Sequence, residues 1–248
     1  MKEINMSRKE RFDDSAVVIT GASRGIGREI ALAFAGTTGH PLWLIARDTG
    51  ALESVRGECL EKGASSVEFS ACDLTDSDGV KTLMYPDGFP APGILVNNAG
   101  TFLLKRLEKT TPEEFRQQWE INTLAPFQLA MKLLPLMRSV ERGLVLQISS
   151  IGALTGLERS GAYSSSKHAV LGFSRSLRKE LEGSRIAVTA LNLGQTMSTS
   201  WEGVDVDPSE LIDPADVGQF IVAVSRLSWR TVAGEITLHP SGGRRSPD

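Results

Sequence analysis

Strand-like and helix-like stretches alternate along this chain, and no other feature limits its fold as tightly. Apolar runs of three to six residues, rich in β-branched side chains, occur at Ala16–Thr20, Leu42–Ala46, Val67–Ala71, Ile94–Val96, Leu144–Ile148, Ile186–Leu191 and Glu235–Leu238. Each reads as a strand buried on both faces. Between them lie stretches with helical spacing, such as Ile30, Ala33 and Phe34, or Val170, Phe173, Leu177 and Leu181. Parallel strands need crossovers, and right-handed helical crossovers cover both sheet faces. The expectation is an α/β fold, a doubly wound, seven-stranded parallel sheet with helices on both faces. No repeat, low-complexity tract or linker divides residues 1–248, so one domain is expected.

Composition removes several function classes. The 27 Lys and Arg against 30 Asp and Glu leave a net charge of −3, without the dense basic block that a phosphate backbone needs. Nucleic acid is not an expected partner. No window reaches the roughly 18 consecutive apolar residues of a spanning helix. The polar extension 1–14 also lacks the apolar core of a signal peptide. A cytoplasmic protein without membrane contact is expected. Cys59 and Cys72 are too few for a disulfide framework or zinc cluster and read as buried thiols. His40, His168 and His239 form no metal-like group and read as surface or packing residues, so no metal is expected.

Two stretches break the alternation. Pro86–Gly93 holds three prolines and two glycines, which end the preceding helix early and predict a surface loop. Gln195–Asp213 is polar, carries Trp201, Glu202, Asp205, Asp207 and Glu210, and has no clean period. Such a segment is either a mobile lid or a plain excursion.

After the first strand comes Thr20-Gly21-Ala22-Ser23-Arg24-Gly25-Ile26-Gly27, with a helical pattern from Arg28. Three glycines permit a tight turn, close approach of a diphosphate, and close packing of the helix on the sheet, while the helix N-terminus offers N–H groups and a positive dipole end. A purely structural turn would have the same composition. At the end of the second strand, a site for an unphosphorylated ribose would carry Asp or Glu. Here Ala46-Arg47 stands instead, and Arg47 with Arg24 suits a 2′-phosphate. Asp48 follows and offers Arg47 a surface partner.

Besides Thr20–Gly27 the chain contains, in order, Cys72-Asp73-Leu74, Asn97-Asn98-Ala99-Gly100, Asn122, Ser149-Ser150 and Tyr163-Ser164-Ser165-Ser166-Lys167. Together these resemble the short-chain dehydrogenase/reductase family, in its TGxxxGxG and YxxxK branch, from about Ala16 to Gly243. The resemblance implies a Rossmann-type domain, NADP(H) as cofactor and the catalytic set Asn122, Ser150, Tyr163 and Lys167. Ser150 is chosen over Ser149 because it precedes Tyr163 by the family's usual thirteen residues, and Asn122 matches an asparagine that anchors a water leading from the lysine to solvent. By the same carry-over, Gly21, Ser23, Arg24, Gly25, Ile26 and Gly27 hold the diphosphate and Arg47 the 2′-phosphate. Asp73 and Leu74 meet the adenine, and Asn98, Ala99 and Gly100 line the ribose, with Tyr163 and Lys167 beyond it. Gly194, Thr196 and Ser198 lie towards the nicotinamide carboxamide. Asn97–Gly100 also suits a simple strand-ending turn, and Asn122 a satisfied polar residue in a helix.

The chemistry is readable from the residues themselves. Tyr163 and Lys167, four apart on a helix, share a face with Cβ atoms roughly 5–6 Å apart. A phenol titrates near pH 10, and an adjacent ammonium favours its ionised form; reaching about 7 needs roughly 4 kcal/mol from Lys167 and an oxidised nicotinamide together. Tyr163 can then exchange a proton with a substrate oxygen while hydride moves. On an ordinary helix the same spacing means a packed Tyr and a solvated Lys.

The family usually has proline where this chain has Leu193, and an acidic residue where it has Gly93. Its nearest likeness is to β-ketoacyl-carrier-protein reductases and carbonyl reductases. The basic patch that an acyl carrier would want is represented only by Arg138 and Arg142 around Glu141. The expected activity is NADP(H)-dependent interconversion of a carbonyl and a secondary alcohol on a small molecule, the alternative being an idle NADP(H)-binding sensor or assembly subunit. Thr101–Leu104, Ile151–Gly161, the candidate lid 195–213 and the tail from Pro240 are expected to form the substrate pocket. A homotetramer or homodimer is implied as well, with Ala169, Gly172 and Ser176 permitting close helix approach across an axis or, equally, packing on the sheet.

Overall fold

The computed structural model describes residues 15–198, 201 and 205–242; the extension 1–14, Glu202 and Gly243 lie outside them. Among these residues seven strands form one parallel sheet in the order β3-β2-β1-β4-β5-β6-β7. They are β1 (Ala16–Thr20), β2 (Leu42–Ala46), β3 (Val67–Ala71), β4 (Pro92–Asn97), β5 (Gly143–Ser150), β6 (Ile186–Leu193) and β7 (Glu235–Leu238). The helices are α1 (Gly25–Thr38), α2 (Thr49–Lys62), α3 (Ser77–Thr82), α4 (Pro112–Trp119), α5 (Ala125–Met137), α6 (Gly161–Glu180) and α7 (Pro214–Ser225).

Alternation along the strands makes two cores. Val17, Ile19, Ile94 and Val96 face Ile30 and Phe34 of α1, Leu52 of α2 and Ile221 of α7. Their neighbours Val18, Leu95, Val145 and Val188 face Leu129 and Leu133 of α5 and Leu177 of α6. Fully burying one such side chain contributes about 1.5–3 kcal/mol, and the central strands do this on both faces. That is why they are continuous apolar runs.

Four expectations need correction. β3 and β7 are not buried on both faces: Glu68, Ala71 and Glu235 are exposed, because these strands edge the sheet. Pro92 and Gly93 belong to β4 and are buried, so the loop ends before them. An N–H-less proline is tolerated there as a strand's first residue. Helix α1 starts at Gly25, three residues before the apolar period shows itself. Arg142, just before β5, is buried, so of the two basic residues only Arg138 is exposed, and Glu141 is bound to Arg185 at 2.5 Å.

The chain leaves β1 towards β2 and β3, then returns to β4 on the other side of β1. Loops from β1 and β4 therefore diverge at the carboxyl ends of these strands, and the crevice between them is where such sheets hold ligands.

Candidate active site

The turn after β1 is shaped by backbone approach. A Cβ on Gly27 would stand 2.2 Å from the Gly21 carbonyl oxygen, so only glycine lets α1 start this close to the strand. Gly21 and Gly25 have positive φ, 65° and 55°, and the space a Cβ on Gly25 would enter is open. Arg24, the residue before α1, makes no side-chain cap, and the first turn has no acid. By contrast Asp48, Asp76, Thr111 and Asp213 cap α2, α3, α4 and α7. The N–H groups and positive end of α1 thus face an open, glycine-lined hollow, which fits a diphosphate. Ser23 and Ile26 are half-buried around it, and Arg24 is exposed at its rim.

On the β2 side Arg47 is exposed. Asp48 forms no ion pair with it; the Asp48 carboxylate accepts the Ala51 N–H at 3.0 Å as the cap of α2. Asp73, just beyond β3, accepts from the Thr75 N–H and hydroxyl at 3.0 and 2.8 Å. These bonds, the backbone one foremost, hold its carboxyl below the ordinary value, and nearby Arg47 adds to the effect. Leu74 is buried beside it. Past β4, Asn98 donates through Nδ2 to the Thr20 carbonyl at 2.9 Å. Ala99 is partly buried, and a Cβ on Gly100 would come within 2.7 Å of Asn122 Oδ1.

The reactive side chains converge at the ends of β5 and α6. The Ser150 hydroxyl lies close enough to the Tyr163 hydroxyl to favour the ionised phenol, and Ser150 Oγ accepts the Gly152 N–H at 3.0 Å. Lys167, one turn beyond Tyr163, is 6% exposed. Its Nζ donates to the Ile148 carbonyl at 3.1 Å and lies 5.7 Å from the Tyr163 ring centroid. Burial lowers its pKa to about 8. Burial also raises the Tyr163 pKa, opposed only by the neighbouring Ser150 hydroxyl. The expected depression by Lys167 is therefore absent in the protein alone: the ammonium sits by the ring rather than on the oxygen, and desolvation prevails.

Asn122 sits in a π-helical turn, Glu120–Leu124, between α4 and α5. Its Oδ1 accepts the Thr101 N–H at 3.1 Å, while Nδ2 donates to the Thr101 carbonyl at 3.0 Å and to Ser166 Oγ at 3.0 Å. Ser166 in turn donates to the Tyr163 carbonyl at 2.7 Å. The side chain thus ties the loop after β4 to the first turns of α6. Its carbonyl would in a regular helix take the N–H of residue 126, which is Pro126 and has none.

β6 runs through Leu193, where the family has proline, and pairs Leu193 with Leu238. Gly194 rests against Pro240, and Thr196, buried, donates its hydroxyl to the Gly194 carbonyl at 3.1 Å. Ser198 is half-buried. The irregular segment is closed at its base, with Met197 N–H donating to the Ile212 carbonyl and Ile212 N–H to Gln195, at 3.0 and 2.9 Å. Trp201 reaches back to the Thr196 carbonyl at 2.9 Å.

Sequence reasoning left Thr20 without a role. Its hydroxyl accepts both the Asn98 and Ala99 N–H groups at 2.9 Å, joining the two loops at the crevice. A polar β-branched residue closing an apolar run beside Gly21 was its signal. Of the histidines, His40 is buried, with Nδ1 2.9 Å from the Ser15 carbonyl, whereas His168 and His239 are exposed. Both cysteines are free and buried, and burial pushes the Cys59 thiol up to about 12.

Comparison with known proteins agrees with this geometry. A family model described as short chain dehydrogenase matches residues 15–207. Sepiapterin reductase from Chlorobaculum tepidum is 30% identical over 236 residues, covering 92% of this chain and 96% of that protein. The alcohol dehydrogenase of the archaeon Thermococcus sibiricus, solved in complex with 5-hydroxy-NADP, has a TM-score of 0.85 at 26% identity and covers 94% of this chain and 99% of its own. L-sorbose reductase from Gluconobacter frateurii, solved with NADPH and L-sorbose, has a TM-score of 0.84 at 26% identity, with coverages of 94% and 97%. The chain belongs to the short-chain dehydrogenase family.

Proposed function

We propose that the protein is an NADP(H)-dependent oxidoreductase that interconverts a ketone and a secondary alcohol. The observation that carries this reading is the meeting of Ser150, Tyr163 and Lys167, with the Lys167 ammonium buried, bonded to the Ile148 carbonyl and 5.7 Å from the Tyr163 ring centroid, together with the glycine-lined turn before α1. A protein that merely held a dinucleotide would have no use for a desolvated lysine beside a half-buried phenol.

In this reading the Gly21–Gly27 turn and the uncapped start of α1 bind the diphosphate, and Arg24 and Arg47 bind the 2′-phosphate. Asp73 and Leu74 face the adenine, Asn98, Ala99 and Gly100 the ribose, and Gly194, Thr196 and Ser198 the carboxamide. The bound nicotinamide supplies or accepts the hydride. In reduction, Ser150 donates a hydrogen bond to the substrate oxygen, and Tyr163 gives it a proton as the carbon gains hydride. Lys167 stabilises the phenolate left behind, and the Asn122 carbonyl is positioned to hold the water that returns a proton. Because burial raises the Tyr163 pKa, the phenol stays protonated near neutrality, which suits it as an acid. Oxidation needs the phenolate and is expected to gain with rising pH.

The same reading takes residues 1–248 as one cytoplasmic domain, with 195–213 as a flap over the substrate, hinged at its paired base. It is tested by comparing kcat/KM for NADPH and NADH over a panel of ketones. Charge-assisted bonds from Arg24 and Arg47 predict about 10-fold to 100-fold preference for NADPH. Equal values, or a preference for NADH, would contradict the cofactor assignment.

A further inference from the structure

Each reactive hydroxyl has an apolar neighbour that the proton chemistry does not use. Phe102, on the loop after β4, packs edge-on against the Tyr163 ring, with centroids 4.9 Å apart and planes at 79°. It nevertheless remains 41% exposed. The point where a Gly152 Cβ would stand is 2.9 Å from Leu157 Cδ1 and 3.4 Å from Ser150 Oγ. Leu157 is thus within a side chain's width of the second hydroxyl.

The loops carrying these walls are held together. Lys105 and Ser160 pair as in a parallel ladder, and the Lys105 N–H donates to the Arg159 carbonyl at 2.5 Å. Arg159 adopts a positive φ of 57°, a strained conformation for a side-chain-bearing residue. The Lys105 ammonium is engaged by both Glu114 oxygens, at 2.6 and 2.7 Å, and so is already committed within the protein.

Resting on the ketone-reductase reading, we propose that the substrate is an uncharged aryl or heteroaryl ketone, or the matching carbinol, and that Phe102 selects it. A carbonyl oxygen shared by Ser150 and Tyr163 puts the carbon's two substituents between Phe102 and Leu157. The flat group lies against the exposed part of Phe102, where aromatic pairs gain beyond the area they bury. The smaller group lies towards Leu157. Phe102 is held by the Tyr163 ring, so little side-chain freedom is lost when the substrate arrives.

The test is the ratio of kcat/KM for acetophenone to that for 2-butanone, with NADPH, in wild type, Phe102→Leu and Phe102→Ala. The wild-type ratio is expected to exceed about ten and to fall about tenfold or more in Phe102→Ala, with Phe102→Leu between them. Calorimetric titration of 1-phenylethanol into the NADP-loaded proteins is expected to weaken in the same order. A ratio that is near one in wild type, or unchanged by both substitutions, overturns the proposal while leaving the ketone-reductase reading intact. Failure of wild type to reduce any ketone with NADPH overturns both.

Discussion

Lys167 sits in an environment that its charge does not favour. Burial lowers its pKa from 10.5 to about 8, so the folded protein carries a partly desolvated cation that the unfolded chain does not. The shift corresponds to about 3 kcal/mol of destabilisation, offset by about 1 kcal/mol from its bond to the Ile148 carbonyl. The sign follows from linkage: between pH 8 and 10.5 the unfolded chain binds more protons here, so stability rises with pH across that window. Lys167→Met is therefore expected to be about 2 kcal/mol more stable than wild type to urea at pH 7, with the gap narrowing towards pH 10.5, while turnover and NADP affinity fall. A variant less stable than wild type at pH 7 would mean that Lys167 is retained for packing. The Tyr163–Lys167 spacing was legible in the sequence because four residues on a helix fix a shared face. The tyrosine's raised pKa was not, since desolvation depends on what the rest of the chain stacks around the ring.

At the level of elements, α2, α3, α4 and α7 begin with a side-chain cap, whereas α1, α5 and α6 do not. Asp48, Asp76, Thr111 and Asp213 close their helices, whereas α1 follows Arg24 and glycines. Those cap residues can be read in the sequence, and so can the absence of one before α1. The π-helical turn at Asn122 is harder to read, because it depends on Pro126 withholding an N–H and on where Thr101 and Ser166 meet the amide. Pro126→Ala supplies that N–H and lets the helix become regular through Asn122. Turnover is expected to drop about tenfold, the scale of small misplacements in a site, with folding and NADP binding retained. Unchanged steady-state kinetics would remove Pro126 from the account. Strand positions were predictable from apolar runs, yet the exposure of β3 and β7 was not, because strand order, not composition, decides which strands become edges.

For the whole molecule, strand order places every candidate group at one end of the sheet, and no helix of the described residues is long and apolar enough to cross a membrane. Large apolar side chains remain exposed on α4 and α5. Phe115, Trp119, Phe127 and Met131 are 42%, 41%, 44% and 39% exposed, and Leu107, Phe115 and Trp119 line an open groove of about 620 Å³ that includes none of the reactive residues. Gly172 and Ser176 are also exposed and Ala169 is half-buried, so the first two do not pack on the sheet and are free for close approach of a second subunit. A homodimer or homotetramer is the predicted state, and a monomeric mass by light scattering at micromolar concentration would contradict it.

The central claim, that Tyr163 moves the proton, is tested most directly by single-turnover reduction of a ketone substrate by Tyr163→Phe saturated with NADPH. The substitution keeps the ring and its contact with Phe102 but removes the hydroxyl. NADPH affinity is expected to stay near wild type, while the rate falls at least about 100-fold, the lower end of what general acid catalysis contributes. A Tyr163→Phe protein that reduced the ketone at the wild-type rate would contradict the mechanism.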